Sequence, residues 1–127
     1  MTFPDDLEYT PEHEWVRDLG DGTFRLGLTS YAQEALGEVV LVSLPGVGTD
    51  VHAGEPLGEV ESVQSVADLF APVTGRVTAR NRALSASPEL VNTDPYGEGW
   101  LVEIVGEAGA GVALLSGAEY QQRVHAA

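Results

Sequence analysis

Gly58-Glu59-Val60-Glu61-Ser62-Val63-Gln64-Ser65-Val66-Ala67-Asp68-Leu69-Phe70-Ala71-Pro72-Val73-Thr74-Gly75 is the stretch around which the chain is organised. It holds two β-compatible runs, Pro56 to Ser62 and Val66 to Val73, facing each other across a short turn near Val63-Gln64-Ser65. A turn signal at Ala53-Gly54-Glu55 precedes the first run, and a Thr-Gly pair at 74 and 75 closes the second before another β run opens at Arg76. Runs of this length bounded by Gly and Pro are the sequence form of a hairpin. Its tip is small and polar, so it should stand in solvent, where proteins put groups that must be reached.

Outward from the hairpin, the rest of the chain reads as short strands and turns. Residues 1–13 read as an irregular arm. Glu14 to Leu19 and Thr23 to Thr29 predict a second hairpin across Gly20-Asp21-Gly22, with Phe24, Leu26 and Leu28 alternating onto one face. Ser30 caps a short helix over Tyr31 to Leu36 that Gly37 ends. Val39 to Leu44 is apolar on both faces, which predicts a central, covered strand. After Arg76 to Arg80, the residues Asn81 to Ser87 read as loop, and Pro88 to Val91 as one helical turn with Pro in the tolerated first position. Trp100 to Val105 is the last strand, Gly106 to Gly111 a small-residue connector, and Ser116-Gly117-Ala118-Glu119 has the spacing of a capping box opening a C-terminal helix to about His125. Tyr120 and Val124, four apart, would face the body. Many short strands with frequent Gly and Pro turns predict an all-β flattened barrel or sandwich with short helices. A faint internal echo relates Gly54–Val60 to Ala71–Val77.

The 127 residues argue for one domain spanning 1–127, large enough to bury roughly two-thirds of its unfolded surface. Cysteine is absent, so there is no disulfide framework, thiolate metal site or redox thiol. A net charge of −14 argues against nucleic acid, whose phosphates it would repel, and is compatible with basic partner surfaces. With no long apolar run and no targeting segment, the chain reads as soluble and cytoplasmic. Lysine is missing altogether, the six basic residues being arginines at 17, 25, 76, 80, 82 and 123. Since lysine is among the commonest residues of soluble proteins, this is no accident of sampling. Lysine depletion by engineering and a natural degenerate paralogue both account for it.

Four blocks in order resemble one family. Glu61-Ser62-Val63-Gln64-Ser65-Val66-Ala67-Asp68 followed by Pro72-Val73-Thr74-Gly75 is similar to the lipoyl-bearing hairpin of the glycine cleavage system H protein. Tyr9 to Val16, Leu28 to Val40 with Leu44-Pro45, and Leu90 to Trp100 resemble that family's other blocks. The resemblance implies a barrel-sandwich hybrid fold. It implies a carrier, not an enzyme, whose lipoyl arm accepts an aminomethyl group from glycine decarboxylase, presents it to a folate-dependent aminomethyltransferase, and is reoxidised by dihydrolipoyl dehydrogenase. This is a place in glycine catabolism and one-carbon metabolism. A lipoate ligase or lipoyl transferase would recognise the hairpin through Glu61, Ser62, Val63, Ser65 and Val66. A mature eukaryotic relative would sit in the mitochondrial matrix.

One position departs. The family carries its lipoyl group on a lysine at the tip, and here that position is Gln64. A carboxamide nitrogen has its lone pair delocalised into its own carbonyl, so Gln64 cannot form the lipoyl amide, and no covalently bound lipoate is expected on this chain.

The resemblance further implies that Glu12, Glu14 and Asp68 form a pocket for the cationic end of the arm, since an ammonium needs carboxylates within hydrogen-bonding reach. The bland alternative is that they are ordinary acids among twenty. His13, His52 and His125 lack metal-ligand spacing, and no nucleophile elbow supports a serine triad. Trp15 and Trp100 read as core aromatics. Three other readings stay open: a biotinyl or lipoyl domain of a larger complex, a lipoyl-independent binding protein on the same scaffold, and an enzyme of unrelated chemistry.

Overall fold

Alternation of apolar and polar residues along nine strands builds two sheets, in a computed structural model that describes residues 3–126. The larger sheet runs β1 (Glu8–Tyr9), β2 (Glu14–Gly20), β3 (Thr23–Leu28), β9 (Val102–Gly111), β8 (Val73–Arg80) and β5 (Asp50–Val51) in spatial order. The smaller has β6 (Pro56–Ser62) at its centre, flanked by β4 (Val39–Ser43) and β7 (Val66–Phe70). All pairings are antiparallel. The inward residues of both sheets meet in one core, with Leu26, Val77, Val102 and Ile104 from the larger sheet against Val39, Val60 and Leu69 from the smaller. The fold is therefore the expected all-β sandwich with short helices and a C-terminal helix.

Those helices are α1 (Ser30–Leu36), α2 (Ala83–Ala86), α3 (Leu90–Thr93) and α4 (Gly117–Ala126). Thr29, not Ser30, caps α1: its Oγ1 accepts the Ala32 N–H at 3.1 Å, and Gly37 ends the helix with φ 84°. The capping box at α4 forms as read, the Ser116 N–H donating to Glu119 at 2.9 Å and the Glu119 N–H to Ser116 Oγ at 3.2 Å. Helix α4 closes a second cluster, in which Phe3, Leu7, Tyr9, Trp15 and Tyr120 are all buried. Tyr9 and Tyr120 stack there at 4.8 Å.

Six local expectations are corrected. The arm contains β1, because Tyr9 exchanges backbone hydrogen bonds with Leu115 and pairs with Trp15. The apolar run 39–44 is an edge strand with Val40 and Leu41 exposed, and not a covered one. Residues 106–111 continue β9 instead of forming a connector, and β8 begins at Val73, carrying the strand through Thr74-Gly75. Gly75 permits this: a Cβ there would collide with the Val105 carbonyl across the ladder. Finally, 81–87 contains α2, and the next helical turn starts at Leu90, after Pro88.

Candidate functional site

The β6–β7 hairpin turns in only three residues, and Ser62 holds the turn. Its N–H donates to the Ser65 carbonyl at 2.8 Å, while its Oγ accepts the N–H groups of Gln64 and Ser65 at 3.2 and 3.0 Å and donates to the Ser65 carbonyl at 3.1 Å. A hydroxyl that replaces missing backbone partners in this way is the reason Ser recurs at tight turns. Ser62 is buried, whereas Val63, Gln64, Ser65 and Val66 are exposed. The Val63 N–H donates to the Glu38 carbonyl at 3.0 Å, tying the tip to the start of β4. Gln64 leans over the C-terminus of α1, its Nε2 donating to the Ala35 carbonyl at 3.4 Å. The residue below it is Gly37, where a Cβ would come within 3.2 Å of that same nitrogen.

From this seat a groove runs along α1. Its walls are Tyr31, Ala32, Ala35 and Leu36 on one side and Ala67 of β7 on the other, with Glu12, His13 and Asp68 as its polar residues. His13 is placed by a tight turn: its backbone takes the left-handed region at φ 69° and its N–H donates to the Thr10 carbonyl at 3.1 Å. Its Nδ1 lies 2.8 Å from the Tyr120 hydroxyl, which also lies 2.8 Å from Thr29 Oγ1. Burial lowers the His13 pKa.

Glu14 lies in an adjoining cavity of about 130 Å³, lined also by Thr10, Pro11, Glu12, Gly54, Phe70, Ala71 and Val112. Its Oε2 accepts the Phe70 N–H at 2.7 Å, and its Oε1 is buried with no hydrogen-bond partner among the described residues. Burial pushes this carboxyl up to about 8, against the opposing effect of the Phe70 hydrogen bond. Such an orphaned oxygen in a cavity is unusual in a native interior and is a place to receive a donor. Thus Glu12 and Asp68 share the groove, Glu14 sits behind it, and Glu12 borders both.

The family model for "Glycine cleavage H-protein" matches residues 7–126. The chain belongs to that family. It is 61% identical over 120 residues to the glycine cleavage system H protein of Mycolicibacterium vanbaalenii, covering 92% of each chain. It is 63% identical over 107 residues to that of Mycolicibacterium smegmatis, covering 84% of this chain and 82% of the relative. The crystal structure of the Mycobacterium marinum H protein superposes with a TM-score of 0.90 at 43% identity, covering 97% of this chain and 99% of that one. The H-protein family carries lipoate, and its members are carrier components of the glycine cleavage system, not enzymes in themselves. Among the described residues no helix is long and apolar enough to cross a membrane, and no cluster of three metal-binding side chains occurs.

Of the flanking residues read as a recognition surface, Glu61, Val63, Ser65 and Val66 are accessible, and Ser62 is turned inward as the staple of the turn. The sequence reading missed the wall supplied by α1, although Tyr31, Ala32, Ala35 and Leu36 recur at the spacing of one helix face. It also missed the Thr29–Tyr120–His13 chain of hydrogen bonds, which links residues up to 107 positions apart and leaves no local pattern.

Proposed function

We propose that this chain is an H-protein carrier scaffold whose attachment residue has been replaced: one domain over 1–127, with hairpin, groove and acidic pocket in place, but no amine to acylate. The observation that carries this reading is Gln64 at the solvent-facing tip of a hairpin whose turn is fully hydrogen-bonded. The groove suits an aliphatic arm, being walled mainly by apolar side chains, with Glu12 and Asp68 as its acidic residues. The tip does not suit the covalent bond, because acyl transfer needs an available nitrogen lone pair and that of a carboxamide is delocalised into its carbonyl. The lipoate group and the acidic pocket therefore fit this scaffold in every respect but attachment.

The partners that this reading assigns are glycine decarboxylase, the aminomethyltransferase, dihydrolipoyl dehydrogenase and a lipoate ligase or lipoyl transferase, in a bacterial cytoplasm like that of the mycobacterial relatives. The test is intact-mass measurement after incubation with lipoate, ATP and a lipoate ligase. The chain should keep its mass, and Gln64→Lys should gain one lipoyl group. Acylation of the unaltered chain would sink the chemical argument; a Lys variant left unmodified would mean that the recognition surface is lost as well.

A further inference from the structure

Arg80 and Arg82 share one place in the fold. Arg17, Arg25 and Arg76 are paired with Asp6, Glu103 and Asp50, and Arg123, in the last turn of α4, has no carboxylate within ion-pair distance among the described residues and lies apart from them. Arg80 and Arg82, both exposed, have no carboxylate within ion-pair distance among the described residues. They converge on two adjoining clefts of about 330 and 420 Å³ that share them. These volumes fall in the ordinary range of ligand sites. Neither cleft is lined by a carboxylate, in a chain that has twenty of them.

The base of this feature is rigid. Alternation along β8 sends its last residue, Arg80, outward; Asn81 then turns inward, and Arg82, exposed, is the αR residue that precedes α2. Buried Asn81 then rivets the corner: its Nδ2 donates to the carbonyls of Glu98 and Trp100 at 2.7 and 2.8 Å, and its Oδ1 accepts the Ala83 N–H at 3.2 Å. The opposing wall is aliphatic, made of Val42 and Leu44 with Leu84 of α2 in one cleft and of Val47 and Ala79 in the other. The site lies away from the hairpin tip: Val39 of β4 pairs with Ser62 beside the tip, whereas the wall residue Val42 is toward the other end of that strand and Leu44 just beyond it.

We propose that this double cleft is a docking site for an acidic segment of a partner protein, with its carboxylates on Arg80 and Arg82 and an aliphatic side chain on Val42 and Leu44. Guanidinium forks match carboxylates geometrically, and the apolar wall gives the partner's aliphatic group a dry contact. A nucleotide is disfavoured because no aromatic side chain lines either cleft to stack a base. A long polyanion would meet the repulsion of the whole molecule at net −14, whereas a short segment feels mainly the local arginines. A partner held here leaves the hairpin tip free, whether or not position 64 carries an arm.

The test uses the isotope-labelled full chain and a short synthetic peptide alternating Glu or Asp with Leu, followed by amide chemical shifts. Shifts should move at Val42, Leu44 and Thr78 to Ser85. In Arg80→Gln/Arg82→Gln the affinity should fall about tenfold or more, while Arg123→Gln should bind as the parent does. Both arginines are exposed, so the double variant should keep the parent's spectrum elsewhere. Equal binding of the same peptide with Gln and Asn in place of its acids, identical shifts from inorganic phosphate alone, binding unchanged in the double variant, or no shifts at millimolar peptide would each overturn the proposal. So would concentration-dependent self-association that the double variant abolishes, since a second copy of the chain would then be the occupant.

Discussion

At the scale of single residues, Glu14 sets the pH behaviour of the site. Its carboxyl is buried, so the protonated form is favoured in the folded state, with a pKa of about 8 against 4.5 ordinarily. The stability associated with this proton is fully present below the unfolded value, because both states then hold it. It is lost as the pH climbs from about 4.5 to about 8, as the unfolded chain ionises first and the folded one only at the end. Glu14→Gln removes the titration, so relative to the parent it should gain stability across this window, by on the order of 4 kcal/mol if the full shift is realised. Urea unfolding at pH 5 and pH 8 reads it directly, and a constant difference between the two proteins would exclude a buried, titrating Glu14. The sequence announced this residue only as one acid of three in a motif. Nothing local says that its Oε2 will meet the Phe70 N–H, 56 positions away, or that its Oε1 will meet nothing. Gln64 and its accessible neighbours were legible because a turn tip is a local structure; the cavity behind Glu12 was not, because it is made by packing.

At the scale of elements, the hairpin depends on Ser62, whose hydroxyl makes three of the turn's short-range contacts. Ser62→Ala leaves the Gln64 and Ser65 N–H groups to water and should cost about 1 kcal/mol of global stability. Hydrogen exchange at those two amides should accelerate more than elsewhere; uniform acceleration, or none, would remove Ser62 from its role as staple. The strand limits of β6 were readable to the residue, from the turn signal at Ala53-Gly54-Glu55 before it and the short tip Val63-Gln64-Ser65 after it. The status of β4 was not. Five apolar or small residues in a row look covered on both faces, yet β4 lies at a sheet edge and half of that surface faces out. Composition reports how apolar a strand is but not how many neighbours the topology gives it. Likewise 106–111 is rich in glycine, which reads as a linker, whereas the ladder with β8 makes it strand. Across that ladder, Gly75 of β8 comes up against the Val105 carbonyl, an approach that a side chain would block.

At the scale of the whole molecule, a net charge of −14 on 127 residues stores self-repulsion in the compact state. Salt should relieve it: raising sodium chloride from low ionic strength to about 0.5 M should lift the melting temperature by roughly 2–5 °C. A fall in the melting temperature would mean that attractive pairs such as Arg25–Glu103 outweigh the general repulsion. The same composition has a separate outcome at the hairpin. Because no lysine occurs anywhere, Gln64→Lys would create the only ε-amine in the chain, at an exposed turn. An amine-reactive dye or cross-linker would then find a single side-chain target, and the scaffold would become a singly addressable label carrier with its reporter fixed at one known point.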